Sequence, residues 1–234
     1  MISGASAERP RPMGRRLILR ASMPIGVLAF WICMSIAVLR FPDHYDWRYV
    51  TISQLIYPER NPAGHIWASI ALAACAAAGL IWVCMLPSPH RFGGVQVLGF
   101  GYFCMIGSSL LPERMLRVPY GHETIAIAGF ICVCTGLVQV SLRYLSIERD
   151  HPRFLPLLLA AVAFFPILVA GITQAYLDFA RPDIPWVGLA WRSMGVPLYL
   201  SFALWEWVTC ALLSAYMVGI GVAVGEQAWK TCNG

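Results

Sequence analysis

The stretch LYLSFALWEWVTCALLSAYMVGIGV, residues 198–222, decides the fold. It carries one charged residue, Glu206. It is long enough to cross a hydrocarbon core, which takes about 20 mostly apolar residues in helical form. Five runs like it precede it, at 19–39, 66–85, 95–111, 124–142 and 155–177. Backbone that is not internally hydrogen-bonded is too costly in lipid for other structures to cross, closed barrels apart. The pattern therefore predicts an all-α integral membrane protein, a bundle of six transmembrane helices.

Composition agrees. Hydrophobic residues make up 59% of the 234 and charged ones 12%, against about a quarter charged in soluble domains. The six spans nearly fill the chain, which predicts a basic tail at 1–18, one membrane domain at 19–222 and a short tail at 223–234. The net charge of +5 does not point to nucleic acid, because the basic residues gather at span ends, where they act as topology signals. All but Lys230 are arginine, a bias that suggests a GC-rich bacterial genome and hence a multi-pass protein of the inner (plasma) membrane.

Arg9, Arg11, Arg15, Arg16 and Arg20 precede the first span. A basic leader before an apolar run also describes a signal peptide; the length of the run and the five spans that follow favour an uncleaved helix. Ten basic residues then fall on the N-terminal side and seven on the other. With the first cluster usually dominant, both termini are expected in the cytoplasm. The outer connections hold Tyr45, Trp47, Tyr49, Tyr57, Tyr120, Trp186 and Trp191, of the kind that anchors a membrane interface. Residues 47–57 are expected to form a short interfacial segment. Ser69, Ala73, Ala76 and Ala77 in the second span, and Ala128, Cys132 and Gly136 in the fourth, form small-residue ridges suited to close helix packing. Pro166 falls mid-span in the fifth and is expected to kink it. The cysteines show no CxxC and no extramembrane framework; they read as small buried hydrophobes.

Chemistry gathers toward the outer ends. Glu206 stands eight residues into its run, where an acid is protonated, paired or turned to a cavity. Helical spacing puts it on a stripe with Tyr199, Ala203, Thr209, Cys210 and Ser214, while Trp205 and Trp207 point elsewhere. His65 opens the second helix with Ser69 one turn below; His122 and Glu123 open the fourth; Asp178 closes the fifth, one turn beyond Gln174. Asp43, His44 and Asp46 follow the first helix, and Glu113 and Arg114 the third. In a compact bundle all could face one outer vestibule. A metal-dependent intramembrane hydrolase would use such ligand types, but no HExxH or other ligand spacing is present; no metal or other cofactor is expected. Gly99-Phe100-Gly101 lacks the strand–turn–helix setting of nucleotide binding, and Gly107-Ser108-Ser109 lacks the nucleophile-elbow pattern. Glu206 could instead titrate in a proton- or ion-coupled transporter, or simply pair with a polar neighbour, the histidines capping helices or facing water.

Ile52-Ser53-Gln54-Leu55, then Pro58-Glu59 and Asn61-Pro62-Ala63-Gly64 leading into a helix, resembles the first outer loop of a bacterial six-helix family of unknown function. The His122-Glu123 entry is similar to that family's His-Asn entry, with Glu in place of Asn. Glu206-Trp207 resembles the Glu-Trp of the last helix in the eukaryotic autophagy-modulator membrane proteins, whose relatives are tied to GPI-anchor lipid remodelling and phospholipid organisation. Gln54 stands where those families often place Asp, so no role resting on that carboxylate carries over. The resemblance implies a six-span fold and a lipid-related or sensing role rather than a defined enzyme.

The expectation is thus a six-helix protein with an outward polar pocket, its candidates Glu206, His65, His122, Glu123, Ser53, Ser69 and Asp178, which binds, senses or organises membrane lipid or a small amphiphile. A small ion-coupled transporter, and an accessory subunit packed on a membrane-protein partner through its ridges, remain the alternatives.

Overall fold

A computed structural model describes residues 13–42, 44–86, 93–111, 121–145, 154–183 and 191–233. Seven α-helices follow in order: α1 (Met13–Leu39), the short α2 (Ile52–Ile56), α3 (His65–Met85), α4 (Gly93–Leu110), α5 (Gly121–Leu145), α6 (Phe154–Ala180) and α7 (Phe202–Asn233), the last preceded by a 3₁₀ turn at Leu198–Leu200. Six of them, all but α2, are long and apolar enough to cross a membrane. No strand occurs among the described residues.

Packing runs α5–α4–α3–α1–α7–α6, and α5 also touches α6 and α7. One main core joins all six spans: Leu19 and Met23 of α1, Trp82 of α3, Leu98 and Tyr102 of α4, Leu137 of α5, Ala163 of α6, and Met217 and Val224 of α7. The α4–α5 seam is the closest. A Cβ added at Gly136 would stand 2.6 Å from Leu98 Cβ and 2.7 Å from its backbone N, and one at Gly101 would stand 2.7 Å from Val133 N. Gly136 was expected in such a ridge. Its partners are Gly129 and Val133, both buried, rather than Ala128, which is exposed.

Two ion-bearing contacts fix which ends lie together. Arg20 pairs with Glu226 at 2.9 Å, and Arg15 Nε donates to Met85 O at 2.9 Å. The start of α1, the end of α3 and the end of α7 therefore share one face of the bundle, and α2 lies at the opposite end. Helix α7 runs on past Val222 to Asn233, beyond the expected span and into the 223–234 stretch read as a tail; the Arg20–Glu226 pair ties this extension to α1. Pro24 and Pro166 both sit inside continuous helices.

The two halves differ inside. Among the described residues, buried Ser108, Ser109, Thr173, Gln174, Ser201 and Thr209 lie toward the α2 end, joined by Thr51, Gln54 and Asn61 of the connecting chain. Toward the Arg20 end the buried polar residues are Ser22 and Ser141, the latter 2.6 Å from the Tyr216 hydroxyl.

Candidate functional site

The chain between α1 and α3 forms a strap across one end of the bundle. Its helix α2 is not an interfacial segment: Ile52, Gln54 and Leu55 are buried, Leu55 completely, in a cluster with Met34 of α1, Ala68 of α3 and Trp207 of α7. A five-residue helix has almost nothing but end, so its free amides must be answered from outside. Thr51 caps it, with its Oγ1 accepting from Gln54 N at 3.3 Å while Gln54 Oε1 accepts from Thr51 N at 3.0 Å, a reciprocal capping box. The two amides left in the first turn go to Glu206: Ile52 N donates to Oε2 at 2.7 Å, and Ser53 N also donates to the carboxylate. No basic side chain pairs with Glu206 among the described residues. Its charge is met by the amide end of α2, as a helix N-terminus favours.

Glu206 is also shallower than its place in the apolar run implied. Pro197 and the 3₁₀ turn delay α7 until Phe202, so the acid lies four residues, about 6 Å at 1.5 Å per residue, below the helix start. Tyr199, expected on the same stripe, precedes the helix and is exposed.

The strap is held at further points. Trp207 Nε1 donates to Val50 O at 3.2 Å, Tyr49 Oη to Val196 O at 3.3 Å, and the Ser201 hydroxyl to Arg48 O. Asp46 receives Arg48 through Nε and Nη2 at 2.7 and 2.9 Å and Arg192 at 3.5 Å; these guanidinium bonds hold its carboxyl below the usual carboxylate range. The other end hangs on Asn61, fully buried. Its Nδ2 donates to Ala37 O at 3.1 Å and Leu55 O at 3.2 Å, and its Oδ1 accepts from Gly64 N at 3.0 Å. A Cβ on Gly64 would come within 2.5 Å of the Asn61 amide and 2.7 Å of Ala37 O, so the turn needs glycine for this close approach.

The remaining candidates do not converge on Glu206. His65 Nδ1 lies 3.2 Å from Asn61 O and 3.1 Å from Pro62 O, engaged by its own turn. Ser53 contributes its amide to Glu206, while its hydroxyl lies 2.9 Å from that of Thr51. Ser69 is partly buried in the second turn of α3. Asp178 is exposed at the end of α6 and accepts from Gln174 Nε2 at 2.9 Å. His122 and Glu123 lie in the first turn of α5, and their side chains fall outside the described residues, as do Arg9, Arg11, Asp43, Glu113, Arg114, Tyr120 and Trp186. No group of three or more His, Cys, Asp or Glu able to hold a metal occurs among the described residues.

Trp205, Glu206 and Trp207 fan out as expected. Trp205 lines a groove of about 430 Å³ between α6 and α7, with Ala161, Val162, Phe165, Pro166, Val208 and Leu212. Trp207 lines one of about 270 Å³ between α1 and α7, with Trp31, Met34, Ser35, Val38 and Leu39. Both open on the outside of the bundle, where Val162, Phe165 and Leu39 are exposed. Thus the two stretches that carry the family resemblance, residues 52–55 and Glu206-Trp207, meet in space across the whole length of the chain.

Sequence reasoning missed Asn61, Thr51, Ser201 and the strap as a unit. The Thr51-x-x-Gln54 box was legible, and the Asn-Pro-x-Gly turn pointed at Asn61. Ser201 carries no such signal. No family model, no characterised protein and no solved structure matches this chain. Its chemistry rests on its own residues.

Proposed function

We propose that this integral membrane protein holds lipid of one leaflet in the grooves that flank α7 beside Glu206. In this reading both ends of the chain face the cytoplasm of a bacterial inner membrane, and the strap faces outward. The carrying observation is the fan of Trp205, Glu206 and Trp207. Each tryptophan walls an apolar groove on the outside of the bundle, and the acid between them anchors a polar strap at the same end. Apolar groove and polar end are what an amphiphile needs, and tryptophan suits that boundary.

The test is native mass spectrometry of the gently solubilised protein. The wild type retains lipid. The double variant Ser35→Trp and Val162→Trp, which fills both grooves from exposed positions, loses it while remaining folded. Equal lipid occupancy in the two would overturn the reading.

A further inference from the structure

Helices α6 and α7 run antiparallel, and two contacts set their register. The Phe164 and Tyr216 rings lie 5.8 Å apart. Leu177 and Ala203 share a buried cluster, thirteen residues away along each helix. Equal spacing on both helices means the register holds between these points. Gln174, three residues before Leu177, is then level with Glu206, three residues after Ala203. Thr209 lies less than one turn deeper, on the flank of α7 that also carries Tyr216 and meets α6.

Gln174 and Thr209 are each 5% exposed. Gln174 Nε2 is used by Asp178, which fixes the amide orientation and turns Oε1 away as an acceptor. Oε1 has no hydrogen-bond partner, and neither has Thr209 Oγ1. Buried polar groups are ordinarily satisfied, and exceptions call for a cause. Here two orphan oxygens share a level with a carboxylate that no basic side chain pairs. The seam thus offers acceptors and negative charge and lacks donors, and it lies about one turn below the end of the bundle. On its outer side runs the α6–α7 groove, from Trp205 at this end toward Ala161 deeper down.

We propose that the α6–α7 seam is a headgroup site for a primary ammonium, taken up as the ethanolamine of a phospholipid whose acyl chain follows the groove. This rests on the lipid reading above and names the headgroup. A primary ammonium brings three N–H donors and one positive charge, matching Gln174 Oε1, Thr209 Oγ1 and the Glu206 carboxylate. A trimethylated ammonium has the charge without the donors, and a glycerol headgroup the donors without the charge. A free amine shares the ammonium chemistry without the acyl chain.

The test titrates the full-length protein in detergent with phosphatidylethanolamine, phosphatidylcholine and phosphatidylglycerol of identical acyl chains, read by native mass spectrometry, with free ethanolamine as competitor. The wild type should prefer phosphatidylethanolamine by about tenfold, the scale of one or two hydrogen bonds to a charged group. Gln174→Leu and Thr209→Val should each reduce that preference severalfold while total lipid bound stays constant. Thr173→Val should leave it intact, since that hydroxyl already bonds Ala170 O. Equal binding of the three headgroups, or a preference unmoved by both variants, would overturn the headgroup site yet leave the lipid reading standing; no bound lipid of any kind would sink that reading instead. Competition by free ethanolamine at the concentration that saturates with lipid would overturn the lipid source in favour of a soluble amine.

Discussion

Glu206 Oε2 accepts the Ile52 amide at 2.7 Å, a bond between residues 154 apart in sequence. It joins the last span to the shortest helix of the molecule and explains why an acid without a cationic partner is kept there. An ionised carboxylate is an acceptor only, and its surroundings here are donors. The bond is charge-assisted, which roughly doubles its strength over a neutral one.

Replacing the acid by Gln keeps one acceptor oxygen and turns an NH₂ group toward an amide N–H. Glu206→Gln should lower stability by about 1–3 kcal/mol, the cost of a buried donor left unmet, and Glu206→Ala by at least as much. Thermal unfolding in detergent measures the loss. Hydrogen exchange should place it at Ile52 and Ser53, with α4 and α5 unchanged.

Asn61 closes the other end of the strap with two donated bonds and one accepted. Asn61→Ala should cost about 2–4 kcal/mol for this set. Asn61→Asp should cost more despite its matching shape, because a carboxylate would face the carbonyls of Ala37 and Leu55. The order of melting temperatures, wild type above Ala above Asp, is the readout.

Glycines divide by what surrounds them. Gly136→Ala drives a methyl into Leu98 and should destabilise by about 1–3 kcal/mol through overpacking. Gly219→Ala meets nothing within 4 Å and should be neutral or stabilise by up to about 1 kcal/mol from helix propensity. The two melting curves should shift in opposite directions, or the second not at all.

Asp46 answers to acid. Its carboxyl is held below its ordinary value, chiefly by the Arg48 bond. A depressed folded value means the pair's contribution is complete above the unfolded midpoint, about 3.9, and fades as pH falls through the folded one. A carboxyl-carbon NMR titration should give an Asp46 midpoint below about 3.9. Arg48→Leu should raise it, because the first cause is removed; an unmoved midpoint would mean that Arg192 or the backbone does the holding.

The six spans were legible because bilayer thickness imposes run length and composition directly. Their capped ends were less so: α7 starts at Phe202 rather than 198, since Pro197 and a 3₁₀ turn take up the first residues of the apolar run. Glu206 stood out because one charge in an apolar run is conspicuous. Its partner did not, because Ile52 contributes a backbone amide, and amides leave no mark in a sequence. His65 drew attention by residue type alone and proved to be engaged by its own turn. Gln174 and Thr209 became informative only once the antiparallel register of α6 and α7 set them at the level of Glu206.

The strap also has a history in time. Its residues leave the ribosome early, but the carboxylate that completes α2 follows 154 residues later. At about 5–20 residues per second that is a wait of roughly 8–30 s. Through that interval α2 has its own capping box and no clasp, so the strap closes last. A nascent chain whose final helix fails to insert would display unseated Leu55 and Val50 at the bilayer rim, an exposed apolar mark by which quality-control proteases could tell an unfinished molecule from a finished one.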